Sequence, residues 1–224
     1  LSSFEPQRAI KGMTFMLQTL TERLFDDGDR TELDPFAVFE EWMALAQEAE
    51  VNDPHAMALA SVDADGLPDV RMVLMNAHDA RGFCFFTNFE SDKGQQLLAQ
   101  PKAALVMHWK SLRRQVRMRG PVEVVSPLEA DTYFASRPQG SRIASSVSRQ
   151  SRALESRQLL LNQVAQASER AGDDPVVRPA HWSGFRLVPT AIEFWKDGEF
   201  RLHDRVRFTR AHPDQDWTSA RLYP

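Results

Sequence analysis

Ala56-Met57-Ala58-Leu59-Ala60-Ser61-Val62, followed by Asp63-Ala64-Asp65-Gly66, is the stretch that decides the fold. Its apolar and small residues run without a helical period and stop at an Asp/Gly cluster, the pattern of a strand entering a turn. Further strand-like runs follow at Val70 to Met75, Gly82 to Thr87, Ala103 to Trp109 and Gln115 to Val125. One short helix, from Ser91 to about Gln100 and stopped by Pro101, separates them. Strands this close leave no room for the long crossovers of a parallel sheet, so antiparallel pairing is predicted. Gly184 to Val188, Ala191 to Lys196 and Trp217 to Tyr223 read as later strands. Glu199 to Asp204 is a predicted partner of Ala191 to Lys196 across a two-residue hairpin at Asp197-Gly198.

Helices sit around this framework. Asp34-Pro35 is a helix start, and Phe36, Phe39, Met43 and Ala46 then form one apolar face. Ser126-Pro127-Leu128-Glu129 is a capping box opening a helix to about Ser136. Residues 152–171 read as a longer helix, and Met13 to Leu24 as a short one. The fold class is therefore mainly β with peripheral helices (α+β), a split or partly open antiparallel barrel. Residues 1–33 are read as a partly mobile N-terminal arm and residues 34–224 as a single domain.

The 224 residues carry a net charge of -4, with 42% hydrophobic and 26% charged residues. An acidic total argues against nucleic acid as a partner, and no run is long and apolar enough for a membrane helix. The single cysteine, Cys84, lies in the apolar run Phe83 to Phe86 and is expected to be a buried thiol. A reducing, cytoplasmic setting is the expectation. No metal-ligand spacing is present.

Three clusters carry candidate chemistry. Arg201, His203 and Arg205 alternate, so in a strand they would share one face and form an anion site with a titratable histidine, or a solvated edge. Gln115, Arg117 and Arg119 share a second strand face, again either functional or plain basic surface. Tyr133, Arg137, Ser141 and Arg142 gather hydroxyls and guanidinium groups suited to phosphate. Arg71 and Asn76, five apart, would face opposite ways in an unbroken strand.

Ordered motifs run from about Asp34 to the end. They are Arg71-Met72-Val73-Leu74, Phe85-Phe86-Thr87-Asn88 with Ser91 and Lys93, and Trp109 with Arg114-Gln115-Val116-Arg117. Tyr133-Phe134-Ala135-Ser136-Arg137-Pro138, Ser141-Arg142-Ile143, Gln150-Ser151 and Trp182-Ser183-Gly184-Phe185-Arg186 follow. Glu193-Phe194-Trp195, Arg201-Leu202-His203-Asp204-Arg205 and Arg221-Leu222-Tyr223-Pro224 complete the set.

This set resembles the pyridoxine (pyridoxamine) 5'-phosphate oxidase family. The resemblance implies an FMN-binding split β-barrel homodimer, with the flavin at the subunit interface. The implied reaction oxidises pyridoxamine or pyridoxine 5'-phosphate to pyridoxal 5'-phosphate, with O2 as acceptor and H2O2 as product. Carried over by position, it implies Arg71, Met72, Val73, Leu74, Phe86, Thr87, Lys93, Gln115, Gln150, Ser151, Trp195 and Arg205 as flavin contacts. It implies Tyr133, Arg137 and Ser141 at the substrate phosphate, joined by Asn76, which stands where the family usually has a lysine. Arg201 and His203 are the implied catalytic pair, holding the pyridine ring against the flavin. A phenazine-type oxidase of the same fold and a non-catalytic flavin or pyridoxal phosphate carrier are the alternative readings.

Overall fold

The computed structural model describes residues 18–172 and 174–224. Helices α1 (Leu20–Phe25) and α2 (Pro35–Ala49) lead into β1 (Ala56–Val62), β2 (Pro68–Leu74), β3 (Ala77–Asp79) and β4 (Gly82–Asn88). After α3 (Asp92–Ala99) come β5 (Lys102–Trp109) and β6 (Arg114–Val124). Helices α4 (Pro127–Ser136), α5 (Gln139–Val147) and α6 (Arg157–Ala171) precede β7 (Trp182–Leu187), β8 (Ala191–Lys196), β9 (Asp204–Thr209) and β10 (Thr218–Arg221).

The strands form one antiparallel sheet in the order β10-β9-β8-β6-β5-β1-β2, with β7, β4 and β3 branching from β6. β6 is the pivot. Residues 114–119 pair with β8 and residues 122–124 with β7, so one strand serves both halves of the barrel. Gly120 lies at the changeover, where a Cβ would come within 2.1 Å of the Val188 carbonyl oxygen. Only glycine allows that approach.

Alternation places Val116 and Met118 of β6, Ile192 and Phe194 of β8, and Val206 and Phe208 of β9 on the inner face, all buried. The predicted stripe of α2 closes this core. Trp42 meets Phe194 edge-on at 5.1 Å, and Phe39 meets Phe83 edge-on at 4.9 Å. Each large side chain removed from water contributes about 1.5–3 kcal/mol. Asp34 caps the helix by accepting from the Phe36 N–H. Cys84 is buried and free.

The structure corrects several sequence expectations. Asp197-Gly198 is not a two-residue hairpin. Glu199–Arg201 form a single 3-10 turn, β9 starts only at Asp204, and Trp195 pairs with Arg205 rather than Phe200. Arg201 and His203 therefore precede the strand and do not share a strand face with Arg205. The long helix begins at Arg157 instead of residue 152 and has no buried residue. α5 and β3 occupy segments for which the sequence predicts no element. Met13 to Leu24 yields a helix only from Leu20, its residues 13–17 lying outside the described part. From Leu20 the N-terminal arm packs onto the barrel: Leu24 and Leu33 are buried. No helix among the described residues is long and apolar enough to cross a membrane.

Candidate active site

A cleft of 510 Å³ opens between β2, β4, α3 and the α4–α5 pair. Met72, Val73 and Leu74 form one wall, and Phe86, Thr87, Lys93 and Gln150 line it from the strand and helix opposite. Asn76, Tyr133, Arg137 and Ser141 line the same cleft. Eleven residues predicted from separate motifs thus converge on one cavity.

Local structure explains how each arrives. β2 ends at Leu74. The next N–H, of Met75, donates to the His55 carbonyl, whereas that of Asn76 donates to the Cys84 carbonyl. The chain switches partner strand there and its side-chain parity resets, so Arg71 and Asn76 need not oppose each other. The capping box at Ser126 and Glu129 starts α4 as predicted and brings Tyr133 round to the cleft.

At one pole, Lys93 Nζ is 2.9 Å from the Gln150 Oε1 it donates to. Burial lowers its pKa, and the nearby Arg71 guanidinium lowers it further against the pull of Asp92 and Asp69. Arg71 does not line the cleft, but it lies near enough to Lys93 to act on its charge. It donates to Ser61 Oγ at 2.5 Å and to Gln96 Oε1 at 3.1 Å, and it ion-pairs with Asp69. Two cations held close against their own repulsion suit a phosphate.

At the other pole, Phe86 stacks on Tyr133 at 4.2 Å and on Trp182 at 5.4 Å. Gly184 opposite Phe86 leaves room for this stack, since a Cβ there would fall 2.7 Å from the Phe86 ring. Arg137 lies over the Trp182 ring at 4.8 Å and donates to Ser145 Oγ at 2.8 Å. Trp182 and Ser145 line the cleft but were not among the predicted site residues. The Trp182-Ser183-Gly184 motif was the available signal. For Ser145 there was none.

The remaining predicted residues lie elsewhere. Gln115, Trp195 and Arg205 are register partners across β6, β8 and β9, on the sheet's outer face. Arg205 is fixed by Glu193, donating to Oε1 from Nε at 3.1 Å and from NH2 at 2.7 Å. Glu193 is buried and also pairs with Arg207 and Arg117. Burial works to raise its pKa, but these guanidinium groups outweigh it and hold the carboxyl below its ordinary value. Ser151 flanks the cleft, accepting from the Asp92 N–H at 3.3 Å.

Arg201 and His203 line a separate hollow of 750 Å³ with Arg113, Asp197 and Phe200. No residue lines both this hollow and the cleft. His203 Nδ1 is 3.0 Å from Asp197 Oδ1, and its ring lies 4.7 Å from Trp195. Phe200 and Arg201 have φ of 55° and 67°, left-handed values that cost non-glycine residues about 1–2 kcal/mol each.

An antiparallel split barrel with a cation-poled cleft defines the class of split-barrel flavin proteins. The family model described as pyridoxamine 5'-phosphate oxidase matches residues 43–171, and the pyridoxine 5'-phosphate oxidase C-terminal dimerisation region matches residues 182–224. The pyridoxine/pyridoxamine 5'-phosphate oxidase of Rhizobium johnstonii is 58% identical over 198 residues, spanning 88% of this chain and 96% of that one. That of Agrobacterium fabrum is 58% identical over 193 residues, 86% and 94% of the two chains. Among solved structures, PhzG from Burkholderia lata in complex with tetrahydrophenazine-1-carboxylic acid superposes with a TM-score of 0.81 at 30% identity, covering 89% of this chain and 96% of that one. This chain belongs to the pyridoxamine 5'-phosphate oxidase family.

Proposed function

We propose that this chain is an FMN-dependent oxidase of pyridoxamine and pyridoxine 5'-phosphates, forming pyridoxal 5'-phosphate with O2 as terminal acceptor and H2O2 as product. The observation that carries this is the cleft with two anion-binding poles, Lys93 with Arg71 and Arg137 with Tyr133. A cofactor and a substrate that both end in phosphate call for two such poles. Bound FMN supplies the two-electron acceptor for oxidation at the substrate's 4' carbon.

The chain's own residues divide the remaining work. Arg71 and Lys93 neutralise the cofactor phosphate, and Met72, Val73, Leu74, Phe86, Thr87, Gln150 and Ser151 surround the flavin. Tyr133, Arg137, Ser141 and Asn76 form the substrate-phosphate end. Arg201 and His203 hold the pyridine ring and orient its 4' carbon, acting with Gln115, Trp195 and Arg205 from a second copy of the chain. Two features support a homodimer: the match to a dimerisation region, and the edge strand β2, whose Val70 and Met72 are 65% and 64% exposed. A reducing cytoplasm is the compartment that fits the lone buried thiol.

Purified protein should bind FMN and consume O2 with pyridoxamine 5'-phosphate. FMN-loaded protein without that turnover would sink the proposal. The likeness to PhzG and the neutral Asn76 favour a second reading, oxidation of a reduced phenazine carboxylate. Turnover of that substrate alone would select it.

A further inference from the structure

Asn76 stands at the junction of two hydrogen bonds whose directions are fixed. Its Oδ1 faces the Phe86 backbone N–H at 3.1 Å. A backbone N–H only donates, so the atom facing it must be the amide oxygen. The amide nitrogen is then the atom 2.6 Å from Tyr133 Oη. An amide NH2 only donates, so the phenol oxygen accepts. Its one proton is released from this contact and must find another acceptor.

Tyr133 is held in place by stacking on Phe86, and its neighbour at this end of the cleft is Arg137, which only donates. Arg137 is oriented by a comparable relay. It donates to Ser145 Oγ at 2.8 Å, and that hydroxyl in turn donates a hydrogen bond to the Ser141 carbonyl at 2.8 Å. Neither relay residue adds a charge.

We propose that Asn76 is a positioning residue that fixes the direction of the Tyr133 hydroxyl proton, so that Tyr133 and Arg137 both present donors at this end of the cleft and favour an acceptor-only group such as a fully ionised phosphate ester. This rests on reading the cleft as the substrate-phosphate site. It differs from direct phosphate binding by Asn76, because the amide oxygen is engaged by the Phe86 N–H and the amide nitrogen by the Tyr133 oxygen, leaving one amide hydrogen over.

The test is a double-mutant cycle of Asn76→Ala and Tyr133→Phe in the FMN-loaded protein. It measures kcat and KM for pyridoxamine 5'-phosphate and Kd for pyridoxal 5'-phosphate. Each single change should raise KM and Kd roughly 3- to 10-fold, the scale of one neutral hydrogen bond, with kcat little changed. The double variant should be no worse than Tyr133→Phe alone. Asn76→Asp keeps an acceptor for the Phe86 N–H, so it guards against misfolding. It offers Tyr133 only an acceptor, reverses the hydroxyl, and should raise KM roughly 10- to 100-fold. Multiplicative effects in the cycle, or an Asn76→Asp variant with wild-type KM, would overturn the proposal while leaving the oxidase reading intact. Tight product binding without turnover would overturn the oxidase reading, and the cycle would still report through Kd.

Discussion

The cleft and the Asp197–His203 loop, which we propose to be complementary halves of one site, are built in opposite ways. In the cleft, side chains brace one another: Phe86, Tyr133 and Trp182 stack, and Arg137 and Lys93 each have a neutral hydrogen-bond partner. In the loop, Phe200 is 88% exposed, Arg201 is exposed, and two consecutive residues hold left-handed backbone without glycine. A strained, outward-facing pair makes sense when the groups it must meet belong to another chain. The contrast fits the proposal that one protomer presents two half-sites, each completed by a second copy of the chain.

Complementation between two inactive variants tests whether the half-sites meet across the dimer. Arg137→Ala and His203→Ala proteins should each lose activity, by roughly 100-fold or more. Mixed and allowed to exchange subunits, they should regain about a quarter of wild-type activity, because random pairing leaves one intact composite site in about half of the dimers. Mixtures no better than the parents would place both residues in one chain's site.

The outer face beside the loop depends on one buried carboxylate. Glu193→Gln removes the shared partner of Arg117, Arg205 and Arg207, leaving their charges unbalanced. Denaturant unfolding should register a loss of about 3 kcal/mol. An unchanged midpoint would mean that the arginines reach water or the partner subunit instead.

On the cleft side, Lys93→Met should weaken FMN binding roughly 10- to 100-fold in a fluorescence titration. Burial and Arg71 lower the lysine's pKa, so its positive charge is lost at a lower pH than an ordinary lysine loses its own. Wild-type FMN affinity should therefore fall as pH rises through that lowered value, whereas the Lys93→Met variant should lack this step.

The smallest effect concerns the helix that carries Tyr133. Glu129 caps α4 and binds Arg186, whose guanidinium and the Ser126 groups lower its pKa from 4.5 to about 2. Its contribution is present above the ordinary value of 4.5 and is lost as pH falls toward 2. Glu129→Gln should cost about 1–2 kcal/mol at neutral pH, and the gap from wild type should close through that acid window. A gap independent of pH would assign the loss to packing alone.

Legibility in the sequence followed locality. The Asp34-Pro35 start, the Ser126 capping box and the alternation in β6 were readable because each depends on neighbours a few residues away. The turn at Asp197-Gly198 was not, although its local signal is strong. A two-residue turn would pair Trp195 with Phe200, whereas the observed register sets Phe194 beside Val206 and Ile192 beside Phe208, all four buried. Burying those chains outweighs a favourable turn, so the loop lengthens and lifts Arg201 and His203 off the strand. α5 escaped notice because only Ile143 among its residues is buried, leaving little apolar periodicity to read.

The antiparallel, barrel-forming character of the chain was legible in local spacing and residue chemistry. Eleven of the residues lining the cleft were named through the resemblance that the ordered motifs carry. Only the tertiary structure decided that Asn76 and Tyr133, 57 positions apart, share a hydrogen bond, and that Arg201 and His203 stand apart from the cleft. Such pairings depend on where β2 changes partner strand and on the register that best buries the core, both of which are long-range outcomes that no local pattern encodes.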